Sequence, residues 1–396
     1  MMKRLISVSL ALALCGAAAG HEHEHEGAPG ADYFHEHALE LLRARQSEKA
    51  AAFLQYSLDY YPWDVPLNLL YLDVLGEEGL EVLGQAWYEE DSEHVADEAI
   101  ILFALGRLAE DDADARDYYE RALAADRDFT PARVGLAELS YRRGDLEAAR
   151  LEIERALKQN ADEWRAYALR GEIFLALDEL EGAVRDFERA LDDDPYAPAT
   201  HAALGEALLL GGEAAAAREE YREAIAWCDD RGEYYLGLGK AQEALGELDA
   251  ARLAYAAAAS RACGNMTVAI AGRKAAGRLA FGAGDMLEAT DHITWAATFA
   301  PDDAELRAYV GGLYAHVGRP AEAAAEFKRA AELEPENGVY WYLLGSSRAR
   351  AGEFEAARES LERAVGLLDG EAAAEAAREL EAVRAALAEG SGQQEE

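Results

Sequence analysis

Residues 304–337 read AELRAYVGGLYAHVGRPAEAAAEFKRAAELEPEN, and this stretch decides the fold. Small residues stand at Gly311, Ala323 and Ala330, a bulky one at Phe327, a midpoint glycine at Gly318 and a closing proline at Pro335. The same slots return along the chain at a step of 34. Ala122, Ala156, Ala190, Ala224 and Ala258 keep that step; after four extra residues Ala296, Ala330 and Ala364 resume it. Seven residues upstream runs a second alanine column, Ala115 through Ala357. Between the two lies a bulky column of Tyr119, Ile153, Phe187, Tyr221, Tyr255, Ile293, Phe327 and Leu361. Gly144, Gly212, Gly246, Gly284, Gly318 and Gly352 form another column, in which Asp178 stands in once. A further small column reads Ala137, Gly171, Gly205, Gly239, Gly277, Gly311 and Gly345.

A repeat of this length is one supersecondary unit, and here it reads as two antiparallel helices. The midpoint glycine supplies the turn, because a residue without Cβ takes a positive φ at little cost and ends the first helix. Small residues at fixed slots let the two helices approach, and the bulky column fills the space beside them. Prolines agree with this phase. Pro62, Pro195, Pro301 and Pro335 end repeats, Pro131 and Pro198 begin them, and Pro320 falls in a first helical turn, where its missing N–H costs little.

These columns resemble the tetratricopeptide repeat family. In 304–337 the matching residues are Gly311, Tyr314, Gly318, Ala323, Phe327, Ala330 and Pro335; in 164–197 they are Gly171, Phe174, Ala183, Phe187, Ala190 and Pro195. Eight repeats start at 96, 130, 164, 198, 232, 270, 304 and 338. Two degenerate ones precede them: 31–64 keeps Ala38, Ala50, Leu54 and Pro62, and 65–95 keeps mainly Gly79 and Tyr88. The resemblance covers 31–371 and implies an all-α, right-handed superhelical solenoid. A helix over 372–389, with Leu380, Val383 and Leu387 on one face, is expected to cap the array, and 390–396 to be a loose tail. The four-residue insertion around Gly264–Ala269 reads either as a tolerated loop or as one more helical turn that bends the array.

Composition narrows the function. Of 396 residues 51% are hydrophobic, so a folded chain is expected, and 77 acidic against 38 basic residues leave a net charge of −39. Such a surface repels phosphate backbones and excludes nucleic acid as the main partner; it also fits a salty habitat. Met1–Gly20 carries Lys3 and Arg4, an apolar run from Leu5 to Leu14, then small residues, which is the plan of a secretory signal peptide. Ala17-Ala18-Ala19 suits ordinary cleavage, whereas Leu12-Ala13-Leu14-Cys15 resembles a lipoprotein box in which Cys15 takes a lipid anchor. No later stretch is long and apolar enough for a transmembrane helix. The chain is therefore expected to be exported, periplasmic or secreted, or alternatively an outer-membrane lipoprotein. Cys228 and Cys263, 35 apart, fall near equivalent spots of neighbouring repeats, too distant for a disulfide, and read as two small buried thiols.

Chemistry is sparse. No Gly-rich phosphate loop, H-E-x-x-H, C-x-x-C-H or G-x-S-x-G pattern occurs, and Asp192-Asp193-Asp194 lies at a repeat end where solvated turn residues belong, so no catalytic residues and no enzyme are expected. His21-Glu22-His23-Glu24-His25-Glu26, followed by His35 and His37, reads either as a hydrated spacer leading into Gly27-Ala28-Pro29-Gly30 or as an arm for Zn²⁺, Cu²⁺ or Ni²⁺.

The resemblance further implies a curved ribbon whose first helices line an inner face that holds a protein or peptide partner. The inner slots carry Arg142, Arg165, Lys240, Lys274, Arg278 and Arg350 against Glu138, Glu172, Glu206, Glu233, Glu243 and Glu305, a balance less acidic than the whole chain. Lys240, Lys274, Arg278, His316 and Arg350 stand beside Phe281, Tyr309 and Tyr342, a set suited to an acidic or C-terminal peptide between aromatic walls. The family's chaperone binders read a terminal carboxylate through Lys and Asn at set slots; Lys274 falls at one Lys slot, but Arg278 stands where Asn is expected. The resulting expectation is a non-enzymatic interaction scaffold of the bacterial envelope. The alternatives are a metal-handling protein using the His-rich arm and an accessory subunit of an envelope enzyme or secretion complex.

Overall fold

The computed structural model describes residues 30–44, 46–58, 60–61, 64–78, 84, 88 and 98–392. The expected leader over 1–20, with Cys15, and the arm residues His21, His23 and His25 lie outside these residues, as does Gly79. Among the described residues there are twenty helices and no strand. The degenerate N-terminal repeats supply α1 (Ala31–Arg43), α2 (Ser47–Leu58) and α3 (Val65–Glu78). Eight helix pairs follow in the expected phase: α4 (Glu98–Leu108) with α5 (Asp112–Ala125), α6 (Thr130–Arg142) with α7 (Leu146–Gln159), α8 (Trp164–Ala176) with α9 (Leu180–Asp193), α10 (Pro198–Leu210) with α11 (Ala214–Trp227), α12 (Gly232–Ala244) with α13 (Leu248–Ser260), α14 (Met266–Ala283) with α15 (Met286–Phe299), α16 (Ala304–His316) with α17 (Pro320–Leu333), and α18 (Gly338–Arg350) with α19 (Phe354–Leu367). A terminal helix, α20 (Gly370–Gly392), closes the chain. The chain divides into two compact units, residues 1–228 and 229–396.

Local chemistry sets the ends of these helices. The side chains of Asp111, Asp145, Asn265, Asp285, Asp303 and Asn337 each accept a hydrogen bond from a first-turn N–H of the helix that follows, satisfying a donor the helix itself cannot. Within the pairs, the turn takes a left-handed residue: Gly318 has φ +74°, and Asp178, the stand-in, adopts φ +62°. The next residue then donates back to a carbonyl five positions earlier, as Arg319 does to Tyr314 at 2.9 Å and Glu179 to Phe174 at 2.8 Å.

The columns are the core. Ala122, Ala156, Ala190, Ala224, Ala258, Ala296, Ala330 and Ala364 are all fully buried. The small column meets the bulky column of its own pair: a Cβ built on Gly171 would lie 2.6 Å from the Phe187 ring, and one on Gly311 2.8 Å from Phe327. Where the small residue is glycine, the pair carries a plug of bulky side chain against bare backbone. First helices of successive repeats also touch one another within each unit, α6 with α8 and α12 with α14 among them, which puts them on the inner side.

Two expectations are corrected, and one left open between loop and helix is decided. The four-residue insertion is helix, not loop: α14 runs 18 residues where its counterparts α12 and α16 run 13, and Asn265 caps the lengthened end. Four residues make about one turn, so the insertion adds length while keeping the buried side nearly in register. The tail starts later than expected, because α20 continues through Gly392; an alanine- and glutamate-rich run sustains the helical ladder past Gly390. Cys228 and Cys263 form no disulfide, but Cys263 is exposed and Cys228 only half-buried. Cys263 sits at φ +45° in the turn that precedes the lengthened α14, outside the packed columns, and its Sγ faces the Asp230 carbonyl oxygen at 3.2 Å. No described helix is long and apolar enough to cross a membrane.

Candidate functional site

The residues expected to form the partner groove all fall within residues 229–396. Lys274, on the lengthened α14, is half-buried and points at the start of α16, where its Nζ lies 2.7 Å from both Asp303 Oδ2 and Glu305 Oε2. Burial pulls the ammonium down, but the bonds to Asp303 and Glu305 together outweigh it and hold Lys274 above the usual lysine value. One turn further along α14, Arg278 donates to both oxygens of Glu243 at 2.6 and 2.7 Å, and the Tyr255 hydroxyl donates to the same carboxylate at 2.8 Å. The bond to Glu243 raises the Arg278 guanidinium's pKa. Both cations are thus neutralised from within the chain.

Phe281 and Tyr309 pack edge to face with centroids 5.9 Å apart, so two of the expected aromatic walls form one surface. Tyr342 belongs elsewhere: burial, with Glu379 and Glu375 of α20 beside it, pushes its hydroxyl up to about 12, so it faces the terminal helix. Lys240, His316 and Arg350 are exposed and make no ion pair among the described residues. The set is therefore split into one neutralised cluster, one aromatic pair, Tyr342 against the terminal helix, and three separate solvent-facing residues.

The cluster opens onto a cavity of about 370 Å³ lined by Lys274, Asp302, Asp303, Ala304, Glu305, Leu333, Glu334 and Tyr340. Four carboxylates share it with one ammonium. Tyr340 registers that field: burial first, then Glu334, Glu305 and Asp303, push its hydroxyl up to about 12. An incoming carboxylate would have to displace Asp303 or Glu305 from Lys274, whereas an ammonium or guanidinium would meet acceptors already in place. Asp302, Asp303, Glu334 and Tyr340 were not among the residues singled out from the sequence. Asp303 caps α16 by accepting from the Leu306 N–H at 2.9 Å through one oxygen, and its second oxygen is the one that meets Lys274.

In residues 1–228 the inner face carries a ladder of Glu138, Glu172 and Glu206 on α6, α8 and α10, one repeat apart. Burial, then the neighbouring Glu138, pushes Glu172 up to about 7. The inner-slot arginines of this unit find partners within it: Arg142 pairs with Asp112 at 2.9 Å and Arg165 with Asp73 at 2.5 Å.

His35 and His37, the described members of the proposed metal arm, both lie within α1. Two residues apart on a helix, they project to nearly opposite sides. His37 Nδ1 sits 3.2 Å from Glu40 Oε2, with its ring stacked on Tyr33 and edge-on to Phe53. Among the described residues no group of three or more His, Cys, Asp or Glu side chains is arranged to hold a metal ion.

With this geometry in hand, the chain can be set beside known proteins. Family models described as tetratricopeptide repeat match residues 107–173, 170–230 and 313–372. Among solved structures, the Cut9–Hcn1 part of the APC/C is similar at 17% identity and a TM-score of 0.49, over 80% of this chain and 56% of that one. The present chain thus spans little more than half of it. A tetratricopeptide repeat protein from Parabacteroides merdae is similar at 18% identity and a TM-score of 0.40, over 66% of this chain and 98% of that one. YrrB, described as having an unusual peptide-binding site, is similar at 18% identity and a TM-score of 0.33, over 57% of this chain and 97% of that one. No curated protein matches.

Proposed function

We propose, on the tetratricopeptide-repeat models that match residues 107–230 and 313–372, that the chain is a non-enzymatic scaffold of that family and holds a protein segment on the inner face of residues 229–396. The observation that carries this reading is the cavity beside Lys274. It is concave, walled by Tyr340 and Leu333, and has a surplus of carboxylate over ammonium. Its best-fitting occupant is a basic side chain, arginine or lysine, on an extended or helical partner segment. A non-catalytic role is supported by how the cluster's charges are used: Lys274 is held by Asp303 and Glu305, and Arg278 by Glu243, as closed ion pairs. The leader-like segment 1–20 supports placing the scaffold in the bacterial envelope.

Fluorescence anisotropy with short peptides at 150 mM salt tests this. Peptides carrying arginine or lysine are expected to bind, and the Asp302→Asn/Glu334→Gln double variant to bind them about tenfold more weakly, as expected for loss of charge-assisted bonds at a partly buried site. Equal binding by the variant, or a preference for acidic peptides, would overturn the reading.

A further inference from the structure

In residues 1–228 two of the three N-terminal helices, α1 and α3, reach across to later repeats, and they do so through side chains the repeat columns do not use. Arg43, the last residue of α1, holds its guanidinium carbon 4.7 Å from the ring centroid of Tyr196 and 4.8 Å from that of Trp227. The two rings stand at 72° with centroids 4.8 Å apart, forming a corner around the cation. Asp73 on α3 makes a second crossing: its Oδ2 accepts from Arg165 at 2.5 Å and its Oδ1 from Arg107 at 3.1 Å. A third sign lies between them, since Asp194, raised mainly by burial, also feels Arg165, Asp73 and His35.

None of this is required by the helix-pair plan. Tyr196 lies in the turn between α9 and α10, and Trp227 at the last position of α11, outside both the alanine and the bulky columns. Arg43 is exposed, yet it stands over two half-buried rings. A planar cation over one aromatic face is a common surface contact, while two faces at a right angle around the same guanidinium form a seat for it.

We propose that Tyr196 and Trp227 form a guanidinium-binding seat, that Arg43 occupies it as an internal ligand, and that the α1–α2 hairpin is thereby a clasp over this unit, released when an arginine side chain of a partner takes the seat. The proposal is independent of the Lys274 cavity, which lies in the other unit.

The full chain, labelled with 5-fluorotryptophan and with the Trp227 resonance assigned through Trp227→Phe, provides the test together with amide hydrogen exchange. In Arg43→Ala, amides of α1 are expected to exchange on the order of tenfold faster, the scale set by loss of one partly desolvated cation–π contact, with helical circular dichroism unchanged. The Trp227 resonance of that variant should shift saturably on adding N-acetyl-arginine amide, while the wild-type resonance stays in place over the same range and N-acetyl-lysine amide has a weaker effect in both. Should Arg43→Ala lose helicity, Tyr196→Leu, which alters the seat and leaves the hairpin intact, must speed exchange in α1 by a similar factor. Unchanged α1 exchange in a folded Arg43→Ala, unchanged exchange in Tyr196→Leu, or equal arginine response in wild type and Arg43→Ala would each overturn the proposal.

Discussion

Glu172 retains a proton at a pH where most carboxyl groups have lost theirs, because it lies half-buried on the inner side of α8 with Glu138 one repeat away. Its value near 7 exceeds the ordinary 4.5, so the folded chain binds this proton more tightly than the unfolded chain does. The corresponding stability is fully present below about pH 4.5 and is lost as pH rises through 7, a change of roughly 2 kcal/mol after allowance for solvent screening. Glu172→Gln should remove that slope. Urea unfolding at pH 5 and pH 8 checks it, and a variant whose midpoint still falls between the two as far as wild type's would count against the assignment. At the glycine–aromatic contacts, Gly171→Ala places a methyl 2.6 Å from a fully buried ring, and its expected cost is about 1–3 kcal/mol by overpacking, read from the same urea curves. These contacts were legible from the sequence, since a column of glycines facing a column of Phe, Tyr and Ile leaves little other room. The Glu172 field was not, because the carboxylate column was visible but its burial depends on how closely first helices of neighbouring repeats approach.

At the scale of the element, α14 shows where periodicity stops informing. An insertion of four residues leaves the helical face almost unchanged, so the sequence alone admitted both a loop and a longer helix. The outcome turned on Asn265, whose side chain accepts from the Val268 N–H and lets the helix begin one turn early. Asn265→Ala is expected to cost about 1 kcal/mol and to reduce helical ellipticity slightly, measured by circular dichroism and urea titration. A full-strength helix signal with no loss of stability would show that packing of Val268 and Ala269, rather than the cap, fixes this end. Elsewhere many boundaries were readable in advance, since glycine or Asp178 at mid-repeat and proline at several repeat ends mark them. The candidate site was only half readable. Lys274 and Arg278 stood out as cations, but their neutralising partners Asp303 and Glu243 lie 29 and 35 residues away in sequence, and only the stacking of repeats brings them together.

For the whole molecule, the charge of −39 is the dominant long-range term. Like charges on one folded surface repel, and salt screens them within about 10 Å at 0.1 M. Raising sodium chloride from 20 to 500 mM should therefore raise the melting temperature, followed by scanning calorimetry, even as it weakens the capture of basic peptides. A melting point that falls over that range would mean that local ion pairs such as Arg307–Glu326 and Arg170–Asp186 outweigh the overall repulsion. Partner identity is not written in such a chain, because the repeat columns record how helices pack and leave the inner face free to vary.

The plug within such helix pairs carries a mechanical consequence. Phe187 fills the space over Gly171, and Phe327 that over Gly311, while further buried clusters join successive repeats to one another. Pulled from its ends, such a chain should yield in a succession of similar steps, each releasing one pair of 34 residues and roughly 100 Å of contour length. A tether of this kind lengthens under load by instalments and recoils pair by pair, which would keep whatever it joins connected while the distance between them changes.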